Sequence, residues 1–487
     1  LLAGALAPLG LAPLNIWPLA LLSPAVFGLL LFRQNANALL KRSFCFGLGL
    51  FGVGASWVYV SIHDFGYTGV ALASLLTGLF VAGLALLFAL PFLLLSLGRP
   101  TRNWLPHLLL VGVVWVLGEW SRSWFLTGFP WLYIGYSQLS TPLAGWAPLF
   151  GVFGVSLAAL LTGSLLLWPL LSRSAFNTAV ATLLLSMLWL GGHQLQKVEW
   201  TQPVGPAQEV ALVQANIPQD KKWQPSFLET TLKRYNRLSA EAWSADWVIW
   251  PEAAVPLLYH RALPILQEAH DTALANNSAL ITGILYDDPV TGRYYNSSLG
   301  LGLATGLYHK TRLVPFGEYV PLEQWLRGTI EFFNLPASFI SPGKNEQTPL
   351  QIGATRLTSA ICYEVVYPDL VAQMSRDTEV ILTLSNDAWF GASWGPLQHL
   401  QMAQMRALEN GRFVIRGTNN GVSAIINNHG ELVASSEQFV QQVLIGQVQP
   451  YTGETPFMRW GSCTTLLCLM LLAIASNYQN ITRLITR

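Results

Sequence analysis

Along the first 196 residues apolar positions run almost without interruption, broken only into stretches of the length a membrane helix requires. Crossing the hydrocarbon takes about 20 mostly apolar residues, because every backbone N–H and C=O must be satisfied within the helix. Seven stretches centre within 1–14, 17–32, 44–62, 69–97, 105–121, 145–171 and 176–194, and an eighth within 461–477. The pattern predicts seven transmembrane helices in a membrane domain 1–196 and an eighth in the closing segment 461–487, which also carries a short tail. The first stretch is short, which predicts a few further residues ahead of Leu1. A cleaved leader over 1–32 is the weaker reading, since no basic segment opens it and apolar character resumes beyond Leu14.

Between 197 and 460 the period changes to short β-rich runs: Val210–Gln214, Trp247–Trp250, Leu280–Leu285, Ser297–Leu303, Leu357–Cys362, Val380–Leu384, Phe413–Gly417, Val422–Ile426 and Val443–Val448. Residues 226–243, 260–276 and 396–411 instead place apolar side chains three and four apart, as helices do. Strands alternating with such helices predict an α/β domain whose sheets are covered by helices. The expected fold is a polytopic α-helical membrane domain joined to this α/β domain.

Composition sharpens the division. The chain is 52% hydrophobic and 11% charged, against about 25% charged for a soluble domain. Residues 1–196 hold seven Lys/Arg and two acids, Asp64 and Glu119, whereas 197–475 hold 18 Lys/Arg and 24 acids. A formal net charge of +1 gives no basic footprint, so no nucleic-acid partner is expected. Arg33, Lys41 and Arg42, then Arg99 and Arg102, then Arg173, then Arg483 and Arg487 lie at alternate crossings. The positive-inside rule then predicts cytoplasmic termini and puts 197–460 on the opposite face, the periplasm in a bacterium; Arg122 is the dissenting cation. Gly47–Gly52 matches GxGxxG, but without a strand–turn–helix context it reads as close helix packing.

Three polar groups stand at predicted strand ends: Glu252 after Trp247–Trp250, Lys310 after Leu307-Tyr308-His309, and Cys362 at the end of Leu357–Ile361. Each alone has a bland reading as a solvated loop residue or a small core residue. Together they form a set with chemistry, because a thiol becomes a useful nucleophile when a neighbour takes its proton and a cation steadies the oxyanion that follows. Cys45, Cys463 and Cys468 lie in predicted spans, so Cys362 has no disulfide partner in the periplasmic half. The eight His and four Cys show no metal-ligand spacing, so neither metal nor cofactor is expected.

These residues resemble the Glu–Lys–Cys triad of the nitrilase superfamily, in Trp250-Pro251-Glu252, His309-Lys310 and Ile361-Cys362-Tyr363-Glu364. Eight spans with such a domain before the last resemble the bacterial apolipoprotein N-acyltransferases. Further matches are Gln214-Ala215-Asn216-Ile217-Pro218 with Lys222-Trp223, Val314–Pro321, Ser385–Gly391 and Gly128-Phe129-Pro130-Trp131. The resemblance implies an αββα sandwich for 197–460 and a bacterial inner-membrane location. It also implies transfer of an acyl chain from a phospholipid, often phosphatidylethanolamine, through a Cys362 thioester to the α-amino group of diacylglyceryl-cysteine on an apolipoprotein. Glu252 would be the base, Lys310 the oxyanion partner with a backbone N–H, and Glu318, Tyr363 and Glu364 would support them. Trp223 matches a position near the site. The aromatic-rich segment 319–340, with Phe332 and Phe333, and the loop 387–395, with Trp389 and Phe390, are expected to be lids at the bilayer interface.

Two other readings compete. The same triad on a small soluble substrate would make a membrane-tethered amidase, for which eight spans are extravagant. A transporter or scaffold would place ionisable residues inside its spans, and here they are nearly absent.

Overall fold

The computed structural model describes residues 1–97, 103–320 and 339–485, with side chains as far as 476. The chain divides into two compact units, one of 1–59, 71–199 and 460–487, the other of 60–70 and 200–459.

The first unit is helical. Among the described residues four helices are long and apolar enough to cross a membrane: Val70–Ser96, Trp104–Ser121, Pro142–Ser172 and Ala175–Leu195. Ala36–Gly54 with Val58–Phe65 makes a fifth candidate bent by 62°, and Trp17–Leu31 and Cys463–Ser476 are shorter apolar helices. The apolar stretch 1–14 holds the five-residue helix Leu2–Leu6 and a 3-10 turn at Ala7–Gly10. Within the GxGxxG stretch, a Cβ on Gly47 would stand 2.8 Å from the backbone of Ala85, so the glycine lets two helices touch.

The second unit is built on two sheets. The strands of these two sheets are β1 (Gln208–Gln214), β2 (Trp247–Ile249), β3 (Ala279–Asp287), β4 (Tyr294–Gly302), β5 (Ala304–Thr305), β6 (Leu307–His309), β7 (Leu350–Ile352), β8 (Thr355–Ser359), β9 (Val380–Ser385), β10 (Val414–Thr418), β11 (Ala424–Ile426), β12 (Leu432–Ser435) and β13 (Gln442–Val448). One sheet runs β13-β1-β2-β3-β4-β6 and the other β12-β11-β10-β9-β8-β7-β5. The triplets β1-β2-β3 and β8-β9-β10 are parallel, and the flanking strands are antiparallel.

The two-residue period of a strand explains the layering. Val210, Leu212, Trp247, Ile249, Ala279 and Ile281 pack against Leu357, Val380, Leu382, Leu384 and Ile415 of the other sheet. Their neighbours Ala211, Val213, Val248 and Leu280 face the opposite way, onto Tyr235, Leu238, Ala262, Leu266 and Ala273 of the helices Leu228–Ser239 and Tyr259–Ala275. This is the αββα sandwich, with a dry layer between sheets where each buried aliphatic side chain contributes roughly 1.5–3 kcal/mol. The helix Gly395–Asn410 departs from a one-sided pattern: Gln398, His399, Gln401, Arg406, Glu409 and Asn410 are buried along with its apolar residues. Its polar groups therefore have to find partners inside the protein.

Candidate active site

The site lies where strands end, the usual place for chemistry in sheets with parallel strands. After β2 the chain turns through Pro251 to Glu252, and Ala253 follows in the left-handed region at φ 46°. Strand β3 passes so close that a Cβ on Gly283 would stand 2.6 Å from Glu252 Cα, and the Trp250 and Ala254 N–H groups donate to Ile281 and Gly283. The backbone beneath the carboxylate is thus fixed. Glu252 Oε1 accepts from Asn296 Nδ2 at 2.7 Å and Oε2 from the Asn386 N–H at 2.8 Å.

Lys310 follows β6 and is 1% exposed. Its Nζ lies 3.0 and 2.9 Å from the two oxygens of Glu318 and 3.7 Å from Glu252 Oε1. Burial pulls on its proton, but Glu318 and Glu252 outweigh it and hold the pKa above that of an ordinary lysine. Asn296 Nδ2 also donates to Glu318 Oε1 at 2.9 Å, so one amide bridges the two carboxylates. Glu318 takes a further N–H from Val314 at 2.8 Å.

Cys362 opens a 3-10 turn, Cys362–Val366, just past β8, with φ at 50°. It keeps partial solvent access. Its thiol is pushed well above the ordinary range, by burial first and then by the Glu252 carboxylate, with Lys310 pulling the other way. The charges of Glu252 and Lys310 both reach the sulfur. Glu364, fully buried, ties the Cys362 turn to the strand before Lys310 and to the residues just after it. Its Oε1 accepts from Tyr308 Oη, from the Thr311 N–H and hydroxyl and from the Arg312 N–H at 2.7–3.1 Å, and Oε2 accepts the Ile361 N–H at 2.8 Å. Burial raises its pKa against Lys310 and these donors. Tyr363 is buried, with its ring 5.4 Å from that of Tyr367.

The aromatic candidates are more scattered. Trp223 follows the short helix Gln219–Lys222 and is 43% exposed. Trp389 and Phe390 are half-buried in the turn Asp387–Phe390. Ser61 donates to the Trp389 carbonyl at 2.7 Å, and the Phe65 ring lies 5.9 Å from that of Trp389. Phe332 and Phe333, with most of the 319–340 segment, lie outside the described residues.

Comparison with known proteins gives the chain's family. The family described as carbon-nitrogen hydrolase matches residues 209–457, and the apolipoprotein N-acyltransferase N-terminal domain matches residues 3–165. Apolipoprotein N-acyltransferase of Pseudomonas syringae pv. tomato is 46% identical over 479 residues, covering 97% of this chain and 94% of its own. The chain belongs to the apolipoprotein N-acyltransferase family. The Azotobacter vinelandii member is 46% identical, covering 94% of this chain and 90% of its own, and the Coxiella burnetii member is 40% identical, covering 94% and 95%. As a member of that family the chain is a membrane-bound acyltransferase with a nitrilase-like domain.

Sequence reasoning missed several groups that lie around Glu252, Lys310 and Cys362. Asn296 had one signal, an amide inside a strand, where Asn is depleted. Lys222, 2% exposed, donates to the Glu252 carbonyl at 3.1 Å, and burial, against the pull of Glu252, lowers its pKa to about 8. Behind Cys362 lies a buried ionic cluster of Asp387, His399 and Arg416, with Arg416 Nη2 2.5 Å from Asp387 Oδ2. Burial opposes ionisation of Asp387, yet Arg416 and His399 hold its carboxyl below the usual range. Arg416 had a signal too, a guanidinium within an otherwise apolar strand.

Proposed function

We propose that the chain moves an acyl group from a phospholipid, phosphatidylethanolamine as the expected donor, to the α-amino group of diacylglyceryl-cysteine on an apolipoprotein, through a thioester on Cys362. Glu252 takes the thiol proton as sulfur attacks the ester carbonyl, and Lys310 with a backbone N–H steadies the oxyanion. Collapse expels the lysophospholipid alkoxide, which takes the proton back from Glu252. The acceptor amine then attacks the thioester, gives its proton to Glu252, and displaces the Cys362 thiolate, which is reprotonated. The observation that carries this reading is a buried Lys310 ammonium held between Glu252 and Glu318, with Glu364 tying the turn that opens on Cys362 to the residues just after the lysine.

A high thiol pKa fits this scheme, because proton removal is then coupled to attack by a carboxylate already in place. The two substrates explain the membrane half. Each buried CH₂ holds a lipid chain in the bilayer by about 0.8 kcal/mol, so the catalytic unit must work at the membrane. The positive-inside pattern supports cytoplasmic termini and a periplasmic catalytic domain over 197–460, between seven spans in 1–196 and the eighth in 461–487.

The test is purified protein in detergent with a phospholipid labelled in its acyl chain and a diacylated lipopeptide acceptor. Label should reach the lipopeptide as an amide, stable to hydroxylamine, with wild type and not with Glu252→Gln, Lys310→Met or Cys362→Ala. Release of labelled free acid with the acceptor left unmodified would favour the tethered amidase instead.

A further inference from the structure

The nucleophile's backbone is in a conformation that needs holding. Cys362 sits at φ 50°, where a residue with a Cβ pays about 1–3 kcal/mol. Two groups grip the turn from opposite sides. Glu364 takes the Ile361 N–H ahead of it, and His399 reaches the Cys362 carbonyl behind it, with Nε2 at 3.2 Å. A carbonyl only accepts, so Nε2 carries the hydrogen. The ring itself is clamped: Nδ1 lies 3.1 Å from Arg416 Nη2 and 3.1 Å from Asp387 Oδ1, while Asp387 Oδ1 also accepts from Ser385 Oγ at 2.6 Å. Burial and Arg416 lower the imidazole pKa, with Asp387 and the Cys362 carbonyl opposing them, and the carbonyl, which only accepts, fixes a hydrogen on Nε2.

Peptide geometry turns this grip into chemistry. The C=O and N–H of one trans peptide lie in a plane and point in opposite directions. The C=O of Cys362 and the N–H of Tyr363 belong to the same peptide, so a donor that fixes the first fixes the aim of the second. Polarising the carbonyl also makes the N–H a stronger donor. We propose that His399 is a positioning residue of the acyl-transfer site: by holding the Cys362 carbonyl on the side of Asp387 and Arg416, it aims the Tyr363 N–H to the opposite side, as the backbone partner of Lys310 for the oxyanion formed at the lipid ester carbonyl. The proposal rests on the reading of Cys362 as the acyl carrier. His399 touches neither substrate nor sulfur in this scheme and acts through one peptide plane.

The experiment compares wild type, His399→Leu and His399→Gln in detergent by two reactions of the same thiol. One is acylation by a phospholipid labelled in its acyl chain, which passes through an oxyanion; the other is alkylation by iodoacetamide, which displaces iodide at a tetrahedral carbon and forms none. For His399→Leu we expect acylation to slow by about 10–100-fold with the lipid KM unchanged, since the interaction lost is made in the transition state. Alkylation should stay within about two-fold of wild type, reporting that the turn still presents the thiol. His399→Gln keeps an N–H donor of similar reach and should recover most of the lost rate. Equal losses in both reactions would show that His399 merely holds the fold of the turn, and unchanged acylation would show that it holds nothing that matters; either result overturns the proposal. If wild type forms no hydroxylamine-sensitive adduct at Cys362, the acyl-carrier reading fails and takes the proposal with it, which separates that failure from an adduct-forming wild type matched by His399→Leu.

Discussion

Glu318→Gln removes a charge and an acceptor without changing the size of the side chain. Three donors converge on the two Glu318 oxygens: Lys310 Nζ at 2.9–3.0 Å, Asn296 Nδ2 at 2.9 Å and the Val314 N–H at 2.8 Å. A glutamine offers one oxygen, and its NH₂ only donates, so a buried donor is left facing another donor at a cost of about 1–3 kcal/mol. The pairing with Lys310 falls from charge–charge to charge–dipole, and at an effective dielectric near 20 two unit charges about 3 Å apart interact with a gross energy of about 5 kcal/mol. Glu252, 3.7 Å from Nζ, remains, and it is the weaker pairing by distance. Lys310 starts above the ordinary lysine range, so it stays protonated at neutral pH, but its ammonium is drawn toward Glu252. That movement pulls the cation away from the oxyanion and toward the group that takes the thiol proton. Acylation should therefore fall by roughly 10²-fold, the scale of one misplaced oxyanion partner, while the folded protein loses only a few kcal/mol. The assay is the single-turnover rate of thioester formation from a labelled phospholipid, with thermal unfolding in the same detergent. A folded Glu318→Gln protein that acylates at the wild-type rate would refute the reasoning.

Further consequences follow from the same geometry. Asn296→Ala should slow acylation by about ten-fold and destabilise the catalytic unit by about 1–3 kcal/mol, because the amide that bridges Glu252 and Glu318 is lost; an unchanged rate in a folded protein would count against the bridge. Lys222, with a pKa of about 8 when folded and 10.5 as an ordinary lysine, binds fewer protons in the native state than in the unfolded state between those values. Wild type should therefore gain stability relative to Lys222→Met as pH rises from about 8 to about 10.5, by up to about 3 kcal/mol, read as a rise of the wild-type Tm relative to that of the variant. A pH-independent difference would contradict the burial argument.

What the sequence made legible depended on the range of the interaction. The strands β1, β2, β3, β9 and β10 could be read from their apolar runs because the residues on both of their faces are buried. The short strand β7, Leu350-Gln351-Ile352, carries no such run, and the edge strand β12 has only Leu432-Val433-Ala434, with Leu432 and Val433 exposed. Glu252, Lys310 and Cys362 stood out because a polar residue at the end of an apolar strand is a local signal. Lys222, Asn296, His399 and Arg416 meet their partners only after the chain has folded: His399 finds Cys362 across 37 residues and Lys222 finds Glu252 across 30. In the helix 396–411 polar and apolar residues alternate as they would on a surface helix, and nothing local distinguishes a His facing water from one facing a buried carbonyl. Burial of that polar face is a property of the sandwich and of the residues that close around it.

The central claim is that Cys362 carries the acyl chain. Purified protein in detergent, given a phospholipid labelled in its acyl chain and no acceptor, should retain label on wild type and none on Cys362→Ala. Neutral hydroxylamine should release that label, as it does from a thioester. Absence of label from a folded wild-type protein, or equal labelling of Cys362→Ala, would contradict the account.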